Sequence, residues 1–131
     1  MNKNVILCVD DEKIILKSLK TQLKDKFGTQ FSYETSENAT DAEELINELM
    51  VNNHNVIVVV SDWLMPGIKG DEFLIKLHKK FPRIVKIMLT GQAKEAAIDN
   101  AYKYANLHKC LQKPWTEQEL IETIKSGIEK L

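Results

Sequence analysis

Cysteine is scarce in this chain: only Cys8 and Cys110 occur, each inside an apolar stretch and without a close-spaced partner. That excludes a disulfide framework or a cysteine metal clip, and reads as two reduced core thiols in a reducing cytosol. Histidine is no richer. His54, His78 and His108 lie far apart without ligand spacing, so each is expected to be solvated or locally hydrogen-bonded rather than to hold zinc. Long apolar runs are missing as well. The opening "MNKNVILCVDDE" has one lysine and a short apolar run broken by Asp10, Asp11 and Glu12, too short for a signal segment or a membrane span. Nor does charge of one sign prevail. The 18 basic and 19 acidic side chains leave a net charge of −1, which gives no basis for nonspecific attraction to nucleic acid or to an anionic membrane.

What is there has the profile of an ordinary globular protein, with 44% apolar and 28% charged residues in 131. That length suits one domain with one substantial core, so residues 1–131 are expected to form a single domain. Two patterns alternate along it. "VILCV" (5–9), "VIVVV" (56–60) and "VKIML" (85–89) are short, β-branched and nearly all apolar, as strands buried on both faces of a parallel sheet should be. "FSYET" (31–35) alternates more and suits a strand nearer an edge, and "KCLQ" (109–112) is the weakest strand signal.

Between them lie helical periodicities. Ile15, Leu16, Leu19, Leu23 and Phe27 share one face of a helix over 11–27. Ala42, Leu45, Ile46 and Leu49 repeat the pattern, with Thr40 or Asp41 as cap. Phe73, Leu74 and Leu77 mark a third helix; Ala97, Ile98 and Ala101 mark a fourth with a thin apolar face. Leu120, Ile121, Ile124, Ile128 and Leu131 define a fifth, opened by Thr116 and Glu119 in capping-box spacing. Strands alternating with helices imply right-handed βαβ crossovers, hence an α/β fold with a doubly wound, five-stranded parallel sheet between five helices.

In such folds ligands bind beyond the carboxyl ends of the strands. That rule gathers Asp10 and Asp11 after the first strand, Asp62 after the third, Thr90 after the fourth and Lys113 after the fifth. Each alone reads as a cap, a turn former or a loop lysine; coincidence explains the set poorly. Two carboxylates about 4 Å apart repel by roughly 4 kcal/mol at an effective dielectric of about 20, so clustered acids need a cation or a proton. Oxygen ligation with waters and room for a phosphate oxygen describes Mg²⁺ better than caged Ca²⁺. A carboxylate so placed can attack phosphorus, provided that positive charge and donors surround the transferring group's oxygens. Lys113, Thr90 and loop N–H groups could supply these.

"VILCVDDE", "SDWLMPGIKGDEFL", "KIMLTGQ" and "LQKPW", in this order, resemble the receiver domain of two-component response regulators over essentially the whole chain. The resemblance implies a flavodoxin-like strand order, 2-1-3-4-5. It implies Asp62 as phosphoacceptor, Asp11 as direct Mg²⁺ ligand, Asp10 as ligand directly or through water, and the Leu64 main-chain carbonyl as a further ligand. Thr90 takes the place of the switch hydroxyl and Lys113 that of the lysine bonding a phosphoryl oxygen, with a cis Lys113–Pro114 peptide. The implied donor is a sensor histidine kinase or a histidine phosphotransfer protein. The implied reporting face is helix four, strand five and helix five, acting on an output domain, a downstream protein or a second copy in a homodimer.

Departures from the family accompany these matches. Cys110 stands where the family commonly carries Tyr or Phe, so either Tyr102 or Tyr104 substitutes or signalling passes without a ring. Leu64 and Gln92 flank the path of attacking water, and an apolar Leu64 predicts a longer-lived phosphoryl group. "KPW", in place of the commoner Lys-Pro-Phe, and the preceding "AIDNAYKYANLHKCLQ" resemble receivers joined to hybrid kinases or cyclic-dinucleotide phosphodiesterases, which leaves open a receiver from such a protein or a stand-alone one. An aspartyl-nucleophile phosphohydrolase would need an acid where Leu64 stands. A flavin or nucleotide module would need a glycine-rich loop where "VDDEKI" stands. A constitutive interaction module that is never phosphorylated finds its support in Cys110.

Overall fold

A computed structural model describes residues 3–131; Met1 and Asn2, the first two residues of the expected domain, lie outside the described residues. Strands β1 (Asn4–Val9), β2 (Ser32–Ser36), β3 (Asn55–Asp62), β4 (Val85–Thr90) and β5 (Lys109–Gln112) alternate with helices α1 (Lys13–Phe27), α2 (Ala39–Val51), α3 (Gly70–Lys80), α4 (Glu95–Tyr104) and α5 (Glu117–Ile128). All strand pairs are parallel and the order is β2-β1-β3-β4-β5, as the resemblance implies. The alternating "FSYET" segment and the short "KCLQ" segment become the two edges. The nearly all-apolar runs occupy the middle, where both faces are covered.

Two apolar layers flank the sheet. On one side Leu16, Leu19 and Leu23 of α1 and Leu120, Ile121 and Ile124 of α5 pack on Ile6, Cys8, Val58, Val60 and Ile87. On the other, Ala42 and Ile46 of α2, Phe73, Leu74 and Leu77 of α3 and Ala101 of α4 pack on Val5, Leu7, Val9, Val59 and Met88. Each fully buried Leu or Ile contributes roughly 1.5–3 kcal/mol by leaving water, so these two layers hold helices and sheet together. Both cysteines are free, Cys8 buried and Cys110 half-buried.

Several boundaries differ from the sequence reading, each for a local reason. Helix α1 starts at Lys13 rather than at residue 11, because Asp10 Oδ1 accepts the Glu12 N–H at 2.9 Å and holds residues 10–12 as a turn. The cap of α2 is Asn38, not Thr40 or Asp41: its Oδ1 accepts from Asp41 N at 2.8 Å while its Nδ2 donates to Asp41 Oδ2 at 2.9 Å. Asparagine is at least as good a cap as threonine, and the acid three residues on makes the contact reciprocal. Leu131 is exposed beyond the end of α5 rather than part of its apolar face. The capping box of Thr116 and Glu119 is formed as the spacing predicts.

One buried charge was not singled out by the apolar pattern. Lys86 of β4 is 1% exposed, its Nζ donating to the Ile84 carbonyl at 2.6 Å and more distantly to that of Pro82 at 3.4 Å. Burial pulls its ammonium down to about 8 from 10.5. Carbonyls of the α3–β4 turn thus replace the water that a buried lysine would otherwise lose.

Candidate functional site

Sheet register assembles the site. Val9 of β1 lies opposite Ser61 of β3, which brings the next residues, Asp10 and Asp62, side by side at the point where strand order reverses. Asp62 in turn pairs with Leu89, setting Thr90 one step beyond, and Thr90 pairs with Gln112, setting Lys113 one step beyond that. Hydrogen bonds from Trp63 N to Leu89 O at 3.0 Å and from Lys113 N to Thr90 O at 3.0 Å carry this staircase past the strand ends. Asp62 and Thr90 are the last residues of their strands rather than the first of the following loops, so their main chains are held by the ladder.

Asp10, Asp11 and Asp62 each offer a carboxylate oxygen, and these oxygens lie within 4.8 Å of one another. Asp10 is fully buried and Asp62 nearly so, whereas Asp11 is exposed. Lys113 bridges two of them, its Nζ 2.8 Å from Asp10 Oδ2 and 3.2 Å from Asp62 Oδ1. Asp10 therefore has both oxygens engaged, Oδ1 by the Glu12 N–H and Oδ2 by Lys113. Asp11 has neither such tie among the described hydrogen bonds.

Burial is the main force raising the Asp62 carboxyl above its ordinary 3.8; the neighbouring Asp10 adds to it and Lys113 offsets part of it. For Lys113 burial alone would favour the neutral amine. The bonds to Asp10 and Asp62 outweigh it and hold the ammonium above its usual 10.5. Together three acids and one lysine leave a net negative pocket with only oxygen donors, a set that fits a hard divalent cation and offers nothing that favours zinc.

Thr90 is buried, and its Oγ1 accepts from Gln92 N at 3.1 Å and Ala93 N at 2.6 Å, which leaves its own hydroxyl proton to donate. A cavity of about 450 Å³ is lined by Asp11, Asp62, Leu64, Thr90, Gln92 and Lys113 among others, so the predicted functional groups other than the enclosed Asp10 share one opening. Leu64 is 41% exposed at its rim. A wider groove of about 630 Å³ between α1 and α2, lined by Lys13, Lys17, Lys20, Glu37 and Asp41, contains none of them. The Lys113–Pro114 peptide is cis, as the resemblance implies.

Some contacts had no signal strong enough to be read in advance. Gly70 opens α3 directly against the end of β3: its N donates to Trp63 O at 2.8 Å, and a Cβ there would overlap the Asp62 carbonyl oxygen and lie 2.8 Å from Trp63 Cα. "KGDEF" contains that glycine, but nothing in sequence says what it approaches. The Trp63 indole donates to Asp71 Oδ1 at 2.9 Å, fixing the first turn of α3 to the same strand end. At the departing position Cys110, the main-chain N–H donates to the Tyr102 hydroxyl at 3.2 Å. Tyr102, rather than Tyr104, is thus the aromatic that reaches β5.

Of the histidines, His108 is locally bonded, to Ser126 Oγ at 2.8 Å and Lys130 Nζ at 3.1 Å. His54 and His78 are enclosed on one side of the ring only. Both are half-buried, with Nδ1 enclosed and without a hydrogen-bond partner among the described residues.

Comparison with known proteins points the same way. Residues 6–125 match the family described as response regulator receiver domain. The hydrogenase transcriptional regulatory protein HoxA of Cupriavidus necator is 29% identical over 95% of this chain, which spans about a quarter (24%) of that relative's length. Chemotaxis protein CheY-3 of Vibrio cholerae is 28% identical, covering 100% of this chain and 97% of its own. The signal receiver domain of an HD domain-containing protein from Pseudomonas fluorescens superposes with a TM-score of 0.86 at 26% identity, over 99% of this chain and 90% of that one. Among the described residues no helix is long and apolar enough to cross a membrane.

Proposed function

The chain belongs to the response regulator receiver domain family, and on that premise we propose that it is a phosphorylation switch whose Asp62 takes a phosphoryl group from a phosphohistidine donor. The observation that carries this reading is the Lys113 ammonium held 2.8 Å and 3.2 Å from two buried carboxylates at one opening with Thr90. A histidine kinase or histidine phosphotransfer protein supplies the group. An Asp62 oxygen attacks phosphorus as the P–N bond to the donor imidazole breaks, and the imidazole leaves with a proton from solvent. Lys113 turns from Asp62 to an equatorial phosphoryl oxygen, and the Thr90 hydroxyl donates to another.

Mg²⁺ is the cation this oxygen set fits, and when bound it would supply charge neutralisation to the acids and the phosphoryl oxygens. Asp11, exposed and uncommitted, would hold it directly. Asp10, with both oxygens already engaged, would act through water. Asp62 and the Leu64 main-chain carbonyl would complete the protein's share. The chain takes part in its own phosphoryl transfer and hydrolysis without turning over a diffusing substrate, and it works in the reducing cytosol that its free cysteines suit.

Withdrawal of Thr90 Oγ1 from Gln92 N and Ala93 N toward the phosphoryl group shifts the loop that leads into α4. The reporting surface is α4, β5 and α5, carrying Lys94, Asp99, Lys103 and Tyr104. It addresses an output domain, a downstream protein or a second copy of the chain, by the added charge biasing two arrangements of this face. Incubation with acetyl phosphate and Mg²⁺ followed by intact mass measurement tests the reading. The expected result is a gain of one phosphoryl group, absent in Asp62→Asn and absent without the metal. No adduct would instead support a constitutive interaction module, the reading that Cys110 favours.

A further inference from the structure

Trp115 is the part of the Lys-Pro-Trp motif that phosphoacceptor chemistry leaves unexplained. Its ring packs, partly buried, against the layer formed by α1 and α5. Its indole Nε1–H donates to Gln22 Oε1 on α1 at 2.8 Å, across 93 positions of sequence. A phenylalanine in the same place would fill space and need no partner. An indole N–H taken from water does need one, and losing it leaves a desolvated donor.

The segment that follows β5 is tied down on several sides. At its start the Lys113 N–H bonds to Thr90 O at 3.0 Å; at its end Thr116 forms the capping box of α5. Between them Pro114 restricts the main chain, so the placement of Trp115 bears on that of Lys113. Gln22 brings in a further element. It lies on α1, the helix that begins directly after the Asp10–Glu12 turn, so the bond joins the helix that follows the acids to the loop carrying the lysine.

We propose that Gln22 and Trp115 form a positioning tie that holds the Lys113 loop against α1, setting the lysine's reach during phosphoryl transfer to Asp62. This rests on the phosphoacceptor reading above. The lysine stem is flexible, and its ammonium has to exchange one carboxylate for a phosphoryl oxygen within the same pocket. A loop free to drift away from α1 leaves fewer arrangements in which the ammonium meets that oxygen, and small misplacements of a catalytic group are costly in rate. Gln22 touches neither phosphorus nor metal, so its action is indirect.

The test compares the wild-type chain with Gln22→Leu, Trp115→Phe, the double variant and Gln22→Glu, which keeps an acceptor oxygen. Phosphoryl incorporation from acetyl phosphate at saturating Mg²⁺ is expected to slow roughly three- to tenfold in Gln22→Leu and Trp115→Phe. The half-saturating Mg²⁺ and donor concentrations stay unchanged, the double variant is no slower than either single one, and Gln22→Glu restores the rate. In parallel, the Lys113 ammonium gives a slowly exchanging ¹H–¹⁵N signal that is lost in Gln22→Leu at an unchanged urea midpoint. Wild-type incorporation with unaltered rates and an unaltered Lys113 signal in the variants overturns the tie. So does a rate loss no larger than the unfolded fraction accounts for. Loss of the Lys113 signal in Gln22→Leu, with no incorporation even by wild type, upholds the tie and overturns the phosphoacceptor reading instead.

Discussion

Asp62 carries a charge that its surroundings resist. Burial raises its carboxyl above 3.8, with Asp10 adding to the shift, so its ionisation weakens the folded state. Below pH 3.8 the group is protonated both folded and unfolded and has no effect; as pH rises the unfolded chain ionises first, and stability falls until the folded pKa is passed. Asp62→Asn is therefore expected to melt at a higher temperature than wild type at pH 7 without metal. The gap should close as pH drops below about 3.8, which thermal melts across pH would follow. The Leu64 side chain, exposed at the rim, presents no polar atom to orient water. Dephosphorylation of a Leu64→Asn variant is expected to run severalfold faster than wild type; an unchanged decay time course would count against that role. At this scale the sequence was informative where chemistry demanded a charge, at Asp10, Asp11, Asp62 and Lys113. It was less so where a polar group served packing: Lys86 reads as an interruption of "VKIML", and only the α3–β4 turn shows which carbonyls receive it.

Elements were legible in proportion to how one-sided their burial is. Strands β1, β3 and β4 are covered on both faces and announced themselves as nearly all-apolar runs, whereas β5 is a four-residue edge with a weak pattern. Caps were harder, because Asn38, Thr40 and Asp41 are all acceptable and only the reciprocal Asn38–Asp41 contact distinguishes them. Helix α4 packs chiefly on α3 rather than on the sheet, which matches its thin apolar face. Its Tyr102 reaches β5 through one hydrogen bond to Cys110 N, a single tie between that ring and the edge strand. The start of α3 is the opposite case. Any side chain at Gly70 meets main-chain atoms of Asp62 and Trp63 that cannot step aside. Gly70→Ala is expected to lose about 1–3 kcal/mol in urea unfolding. Because the atom struck belongs to Asp62 itself, its remaining folded fraction should also take up phosphoryl groups more slowly.

Across the whole molecule, strand order does what no single segment can. Reversal between β1 and β3 places Asp10 beside Asp62, and the parallel register then carries Thr90 and Lys113 to the same end of the sheet. Alternation of strands and helices made the architecture readable, and the rule that ligands sit beyond the carboxyl strand ends made the site readable with it. The tie from Trp115 to Gln22 left no trace in any local pattern, whereas Tyr102 stood beside Tyr104 as a candidate partner of the Cys110 position and only the fold distinguishes the two. Crowded acids also predict a response of the whole fold to its cation. Mg²⁺ at about a hundred times its dissociation constant should add about 2.7 kcal/mol of stability. The gain should largely vanish in Asp11→Asn, as melts with and without chelator would register. The most direct check of the central claim is where the phosphoryl group lands. Wild-type protein treated with acetyl phosphate and Mg²⁺, then reduced with borohydride and mapped by peptide mass spectrometry, should carry homoserine at position 62 alone. Homoserine at another aspartate, or at none, would contradict the account.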